Sequence, residues 1–248
     1  MKFADVRKLA FDTETTGPDP TRDRIVTAAL VARGGGFPDR TMSWLINPGI
    51  PIPAEATEVH GITDAKAATG ATPAAALDDI AHHITLALMY GMPVVAYNLS
   101  FDWTILTRDA ERHRVPGPAD RVPEGTVLGL IDPLVIDKQF DRYVKGSGAR
   151  RLKPTAERYG VELADWHTAE ADALAALLIA EAQFERYPHL NDYAPSFLFE
   201  QQQRWRADQQ ASLQQWFRTK ASPEQGGDPN KVIDGSWPLI PHQQNGGR

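Results

Sequence analysis

The stretch "LAFDTETTG", residues 9 to 17, ends an apolar run on two acids and then turns at once. If Lys8 to Glu14 is a strand, successive side chains point to opposite faces. Leu9, Phe11 and Thr13 then share one face, and Ala10, Asp12 and Glu14 share the other. Carboxylates that close repel and raise each other's pKa unless something positive lies between them. A divalent cation is the usual answer, so this strand end is a candidate metal-ligating point.

The remaining pattern sets the fold class. "RIVTAALVA" and "TMSWLI" read as two more strands joined by short turns, which predicts an antiparallel meander. "NPGIPIPAEATEVHGITDAKAATGAT" has broken periodicity and reads as mostly loop with one short helix. "PAAALDDIAHHITLALMYG" is an amphipathic helix starting at Pro73 and ending near Gly91. "MPVVAYN" is a short buried strand, "SFDWTILTRDAERHRV" a helix, and "TVLGLID" another strand. "LKPTAERYG" is a helix that Gly160 stops, and "TAEADALAALLIAEAQFERY" is a long Ala- and Leu-rich helix. Three strands followed by alternating helices and strands predict a mixed α/β sheet, antiparallel at first and then parallel and helix-connected, flanked by helices. Residues 195 to 248 differ: they are Gln-rich, with Trp205, Leu213, Trp216 and Phe217 at roughly helical spacing. The expected organisation is a body over residues 1–190 and an appendage over 191–248.

Charge and composition narrow the function classes. The 248 residues include no cysteine, which excludes a disulfide scaffold and thiolate metal sites. The N-terminus lacks a long apolar stretch after its positive charges, and no run approaches a membrane span of about 20 residues. A soluble cytoplasmic protein with no membrane partner is the expectation. The net charge of −6 argues against bulk attraction to nucleic acid, so any phosphate-binding surface must be local. The candidate is "RYVKGSGARRLK", residues 142 to 153, which carries five basic residues, no acid and a Gly-Ser-Gly centre. Its plain alternative is a solvated loop.

Two further stretches add to the opening pair. "VVAYNLSFDWTIL" places Asp102 shortly after the end of a strand, where the ligand sites of such sheets collect. Alone, Asp102 reads first as a first-turn acid favoured by the helix dipole. "DWHTAEADALAALL" holds His167 and Asp172. Five positions on a helix is about 140° of rotation, so the two converge only if His167 precedes the helix and Asp172 sits in its second turn. Asp165 or Thr168 would then be the N-cap. The alanines around Asp172 would let that helix approach the first strand closely.

As a set, "FDTETTG", "AYNLSFD" and "HTAEAD" resemble the three motifs of the DEDD exonuclease superfamily, of RNase H-like fold. Within it the chain is similar to the histidine subgroup that includes the epsilon proofreading subunits of bacterial DNA polymerase III. "EVHGIT", residues 58 to 63 and containing His60, also resembles a stretch of epsilon-like members. The resemblance covers about residues 6 to 185. Tyr97 departs from it, since many members have His before the Asn. The resemblance implies two Mg²⁺ or Mn²⁺ ions held by Asp12, Glu14, Asp102 and Asp172, with His167 as general base. It implies hydrolysis at nucleic-acid 3′ ends, DNA favoured, releasing nucleoside 5′-monophosphates. Thr15, Thr16, Gly17, His60, Asn98 and Phe101 would touch substrate, and Arg150, Arg151 and Lys153 would meet its backbone.

The same chemistry on RNA ends, as in an exoribonuclease or oligoribonuclease, is the nearest alternative. A non-catalytic nuclease fold that holds a polymerase or clamp is the alternative of another class. "QASLQQWF", residues 210 to 217, resembles a sliding-clamp-binding peptide of eukaryotic and archaeal type, while the body looks bacterial. An amphipathic helix packed on the body is the simpler reading of that stretch.

Overall fold

The computed structural model describes residues 2–162 and 168–242. Five strands make one sheet: β1 (Lys8–Thr15), β2 (Ile25–Arg33), β3 (Arg40–Leu45), β4 (Val94–Val95) and β5 (Leu130–Ile131), in the order β3-β2-β1-β4-β5. β1, β2 and β3 form the antiparallel meander, with Phe11 opposite Leu30 and Asp12 opposite Ala29. β4 runs parallel to β1, and β5 parallel to β4. This is the RNase H-like mixed sheet that the motif order implies.

Helices cover both faces. On one lie α3 (Pro73–Met89) and α4 (Leu99–Arg112); on the other lies α7 (Ala169–Arg186). Pro73 begins α3 at a position where its missing N–H costs nothing, and Leu77, Ile80, Ile84 and Leu88 form its buried stripe. In α7 the stripe is Ala173, Ala176, Leu177 and Ala180, all fully buried. Methyl-sized side chains bring this helix close against β1 and β2. Thr168 is its N-cap, accepting from the Ala171 N–H, so Asp172 falls in the first turn rather than the second.

The short strands are shorter than their apolar runs suggest. "MPVVAYN" yields only Val94–Val95, because Asn98 turns left-handed (φ 62°) to start α4. The Pro- and Ala-rich stretch holds two helices, α1 (Ala54–His60) and α2 (Asp64–Ala67). α5 (Pro133–Phe140) was not expected. α6 spans Leu152–Arg158, before a positive-φ Gly160 (φ 71°). α8 (Pro195–Thr219) is one continuous helix packed against α5 and β5.

β5 is an edge strand, and a side chain covers its outer edge. Gln202 of α8 donates through Nε2 to the Leu130 carbonyl (2.8 Å) and accepts through Oε1 from the Asp132 N–H (2.7 Å). One amide thus occupies the backbone groups that another strand would take. Beyond α8 the chain returns to the body. Trp237 is buried against Phe199, and the Ile240 N–H donates to the Thr104 hydroxyl oxygen (2.9 Å) while its carbonyl accepts from Arg108 (3.0 Å).

Asp132 is the fastening under the β4–α4 turn. Fully buried, it accepts from Asn98 N (3.1 Å), Leu99 N (3.1 Å) and Leu134 N (2.9 Å), so it caps α5 and anchors the start of α4 together. Burial raises its carboxyl above the usual range, and the nearby Arg206 guanidinium opposes that rise. A buried N–H left without its acceptor costs about 1–3 kcal/mol, and Asp132 serves three of them. Asp132→Ala is therefore expected to lower the urea midpoint by a stability loss of at least about that size. An unchanged midpoint would show that the anchor is dispensable.

Candidate active site

The site stands where β1 ends. Lys8, Ala10, Asp12 and Glu14 share the face that α7 covers: Lys8 pairs with Glu181 of α7 (2.8 Å) at the start of the strand. At the other end Asp12, Glu14 and Asp172 converge, each half-buried, with one carboxylate oxygen from each lying within 4.8 Å of the others. Asp102 approaches from the α4 side. It is 4% exposed, and its Oδ1 accepts the Thr13 hydroxyl at 2.7 Å. The alternation along β1 thus gives two acids to one layer, and gives the other layer a threonine that holds the fourth.

The electrostatics are strained. Asp12 is held well above the usual carboxylate range, first by burial and then by the charges of Asp102, Glu14, Asp172 and Glu170. Burial pushes Glu14 up to about 7, with Asp172 and Glu170 adding to it. Asp102 is pushed up to about 7 by burial, against which the Thr13 hydroxyl and backbone N–H groups act. An all-oxygen donor set of high negative charge fits a hard divalent cation, and bonds of about 2.0–2.6 Å suit oxygens this close together. Glu170 sits beside these acids and was not singled out from sequence, although it lies inside the third motif.

The surrounding turn is rigid. The Thr15 hydroxyl donates to the Gly17 carbonyl (2.7 Å), and the Thr16 hydroxyl to Asp23 (3.0 Å) while accepting from the Arg24 N–H (3.0 Å). Both hydroxyls are therefore spent within the turn, and Thr16 is 1% exposed. Gly17 is required there, because a Cβ would sit 2.6 Å from an Asp23 carboxylate oxygen. Glu14, Thr15, Gly17, Asn98 and Phe101 face a cleft of about 700 Å³, closed opposite by Pro53, Val59 and His60 of the α1 segment. The His60 Nδ1 accepts from Ile62 N (3.0 Å), so the neutral ring carries its proton on Nε2; burial lowers its pKa. A smaller cleft of about 230 Å³ lies beyond Glu14 and His60, against Trp44, Lys66 and Glu170.

The basic loop is tied down. The Arg150 guanidinium pairs with the buried Asp137, which Arg158 also grips through two bonds of 2.8 and 2.9 Å. The Tyr97 hydroxyl donates to the Arg150 carbonyl (2.7 Å) and lies 2.8 Å from the Thr155 hydroxyl. The departure at Tyr97 thus fastens the loop to the residue before Asn98. Arg151 and Lys153 are exposed. His167, and Asp165 as alternative cap, lie outside the described residues.

With this geometry in place, comparison with known proteins is decisive. The model of the exonuclease family RNase_T matches residues 9–180. The chain belongs to this exonuclease family. Family relatives include a DNA polymerase III subunit epsilon-like protein of Rhodobacter capsulatus, 41% identical over 103 residues, or 40% of this chain and 14% of the relative. The PolC-type DNA polymerase III of Streptococcus thermophilus is 29% identical over 175 residues, 71% of this chain and 11% of the relative. The chain therefore matches only a small part of either relative's length. The same fold is seen in Escherichia coli exonuclease I in complex with a dT13 oligonucleotide: TM-score 0.63, 22% identity, 76% of this chain and 43% of that one. Exonuclease I of Methylocaldum szegediense gives a TM-score of 0.62 at 24% identity, over 75% and 42% of the two chains.

Crowded acids make a stability prediction for this exonuclease fold. Burial and the neighbouring acids push Glu14 from its ordinary 4.5 up to about 7, so its ionisation is penalised in the fold. The penalty is absent below 4.5, grows as pH rises from 4.5 to 7, and is fully developed above 7. In chelator at pH 8, Glu14→Gln should stabilise the protein, by roughly 1–3 kcal/mol, with little effect near pH 4.5. Added Mn²⁺ should raise the melting temperature of the wild type more than that of the variant. A variant less stable than wild type at pH 8 without metal would contradict the repulsion.

Proposed function

We propose that the chain is a two-metal-dependent 3′–5′ exonuclease that hydrolyses phosphodiester bonds at nucleic-acid 3′ ends, DNA favoured, releasing nucleoside 5′-monophosphates. The observation that carries this reading is the carboxylate cluster of Asp12, Glu14 and Asp172 at the edge of an open cleft. Relatives named for DNA polymerase III support DNA as substrate and a polymerase as protein partner. The single-stranded DNA held by exonuclease I structures of the same fold supports DNA as substrate.

Asp12, Glu14, Asp172 and Asp102 would hold the Mg²⁺ or Mn²⁺ ions, with Thr13 fixing the Asp102 carboxylate by its hydrogen bond. Bound there, such ions lower the pKa of water and stabilise charge on the attacking and leaving oxygens. The chain's own groups do the positioning. The cleft between the Thr15–Gly17 turn and the α1 segment accepts the terminal nucleotide, with Phe101 and Val59 as apolar walls and His60 and Asn98 as polar contacts. His167 of the third motif takes the proton of the attacking water. The exposed Arg151 and Lys153 meet the substrate backbone, and the Arg150 guanidinium holds Asp137.

With a 5′-labelled single strand and Mg²⁺, the expected product is a ladder shortening from the 3′ end. Asp12→Ala or excess EDTA should abolish it, and full activity in EDTA would remove the metal-dependent reading. His167→Ala should slow turnover by roughly 10²–10⁴-fold and alter the acidic limb of the pH–rate profile. Wild-type turnover and profile in that variant would leave His167 without a part in proton transfer.

A further inference from the structure

A second groove lies away from the carboxylates, between α8 and the segment from α5 into the basic loop. Its volume is about 830 Å³. Lys138, Arg142 and Arg150 line one wall; Arg204, Trp205 and Trp216 line the other. Along α8 the lining positions recur every three or four residues from Gln201 to Trp216, which is about 22 Å of helix. Asp208 is the acid in this lining. In a chain of net charge −6, such a concentration of cations is local and specific.

The cations are not consumed internally to the same degree. Arg150 is paired with Asp137. Arg204 is 69% exposed at its side chain and only 3.9 Å from a Glu200 oxygen that is itself largely exposed, a weak pair. The Arg142 Nε donates to the Gln139 carbonyl (3.0 Å), which leaves its positive charge uncompensated by that contact. Among the described residues, no hydrogen bond or ion pair engages the half-buried Lys138 ammonium. Burial and the neighbouring Arg206 push its pKa below the ordinary value, against the opposing charges of Asp132 and Asp137. Trp205 is fixed edge-on against Phe140 (5.4 Å), while Trp216, 37% exposed, presents an accessible indole surface. Cations interleaved with an exposed indole fit a single strand, whose phosphates need charge and whose bases need an aromatic face.

The groove is also connected to the candidate active site. Arg150 lines it, and the Arg150 carbonyl accepts the Tyr97 hydroxyl one residue before Asn98, which lines the catalytic cleft. We propose that this groove binds the single-stranded segment upstream of the 3′ end, its phosphates against Lys138, Arg142 and Arg204 and a base stacked on Trp216. The proposal rests on the exonuclease reading for the orientation of the strand, but binding in the groove does not depend on hydrolysis.

The test compares wild type with Arg142→Ala/Arg204→Ala/Trp216→Ala, three positions that bear on neither the carboxylates nor the catalytic cleft. Fluorescent oligothymidylates of about 4 and about 20 nucleotides are bound in EDTA across a salt series. Hydrolysis of the p-nitrophenyl ester of thymidine 5′-monophosphate in Mn²⁺ reports the carboxylate site alone. Wild type should favour the long strand. The triple variant should lose about tenfold or more of that affinity, and its salt slope should flatten by about 1.4, at 0.7 per lost contact. Its affinity for the short strand and its ester hydrolysis should stay at wild-type levels. Long-strand affinity and slope equal to wild type would overturn the proposal. A wild type that binds with this length dependence yet hydrolyses neither ester nor strand would instead support the groove and count against the nuclease reading.

Discussion

Mutual repulsion among carboxylates at the end of one strand is the constraint around which the rest is arranged. Asp12 and Glu14 are forced onto one face by the two-residue period of β1. Asp172 is brought to them by a helix whose contact stripe is mostly alanine, so nothing bulky keeps its backbone away from the sheet. Asp102 is presented from the opposite layer and restrained by Thr13. Each element that closes on this point works against charge, and the folding free energy must come from elsewhere. The fully buried Phe11, Leu30, Ile80, Ile84 and Leu106 supply it in the core between the sheet and α3 and α4.

Two buried aspartates show how surroundings divide structural from chemical acids. Asp132 and Asp102 both lie at or near the first turn of a helix that follows a parallel strand. Asp132 has three backbone N–H groups aimed at its oxygens and a guanidinium nearby, so its charge is compensated by the protein. Asp102 accepts the Thr13 hydroxyl, and its charge helps to raise the neighbouring Asp12 carboxyl. Residue type alone does not separate these cases; the donors do.

This explains what could be read from the chain and what could not. The long periodic segments were legible, as were Pro73 opening α3, Gly160 after α6 and Thr168 capping α7. The three motifs, in order, pointed to the residues that meet at the end of β1. α5 was less visible, because an eight-residue helix offers barely two turns of periodicity. Its Asp-Pro start, a capping residue followed by a proline at the first helical position, was the available signal. β4 and β5 were over-read because a strand buried on both faces looks like any apolar run. The roles of Tyr97 and Gln202 were invisible, since each bonds to backbone more than 50 residues away.

Gln202 carries a consequence for how the molecule can be divided. The exonuclease family match ends at residue 180, before α8 begins. Removing α8 would uncover the Leu130 carbonyl and the Asp132 N–H along the outside of β5. Those two groups, with the apolar residues α8 shields, form a ready template for a strand from another molecule. The glutamine amide is thus a guard against self-association, and the last helix keeps the sheet at five strands.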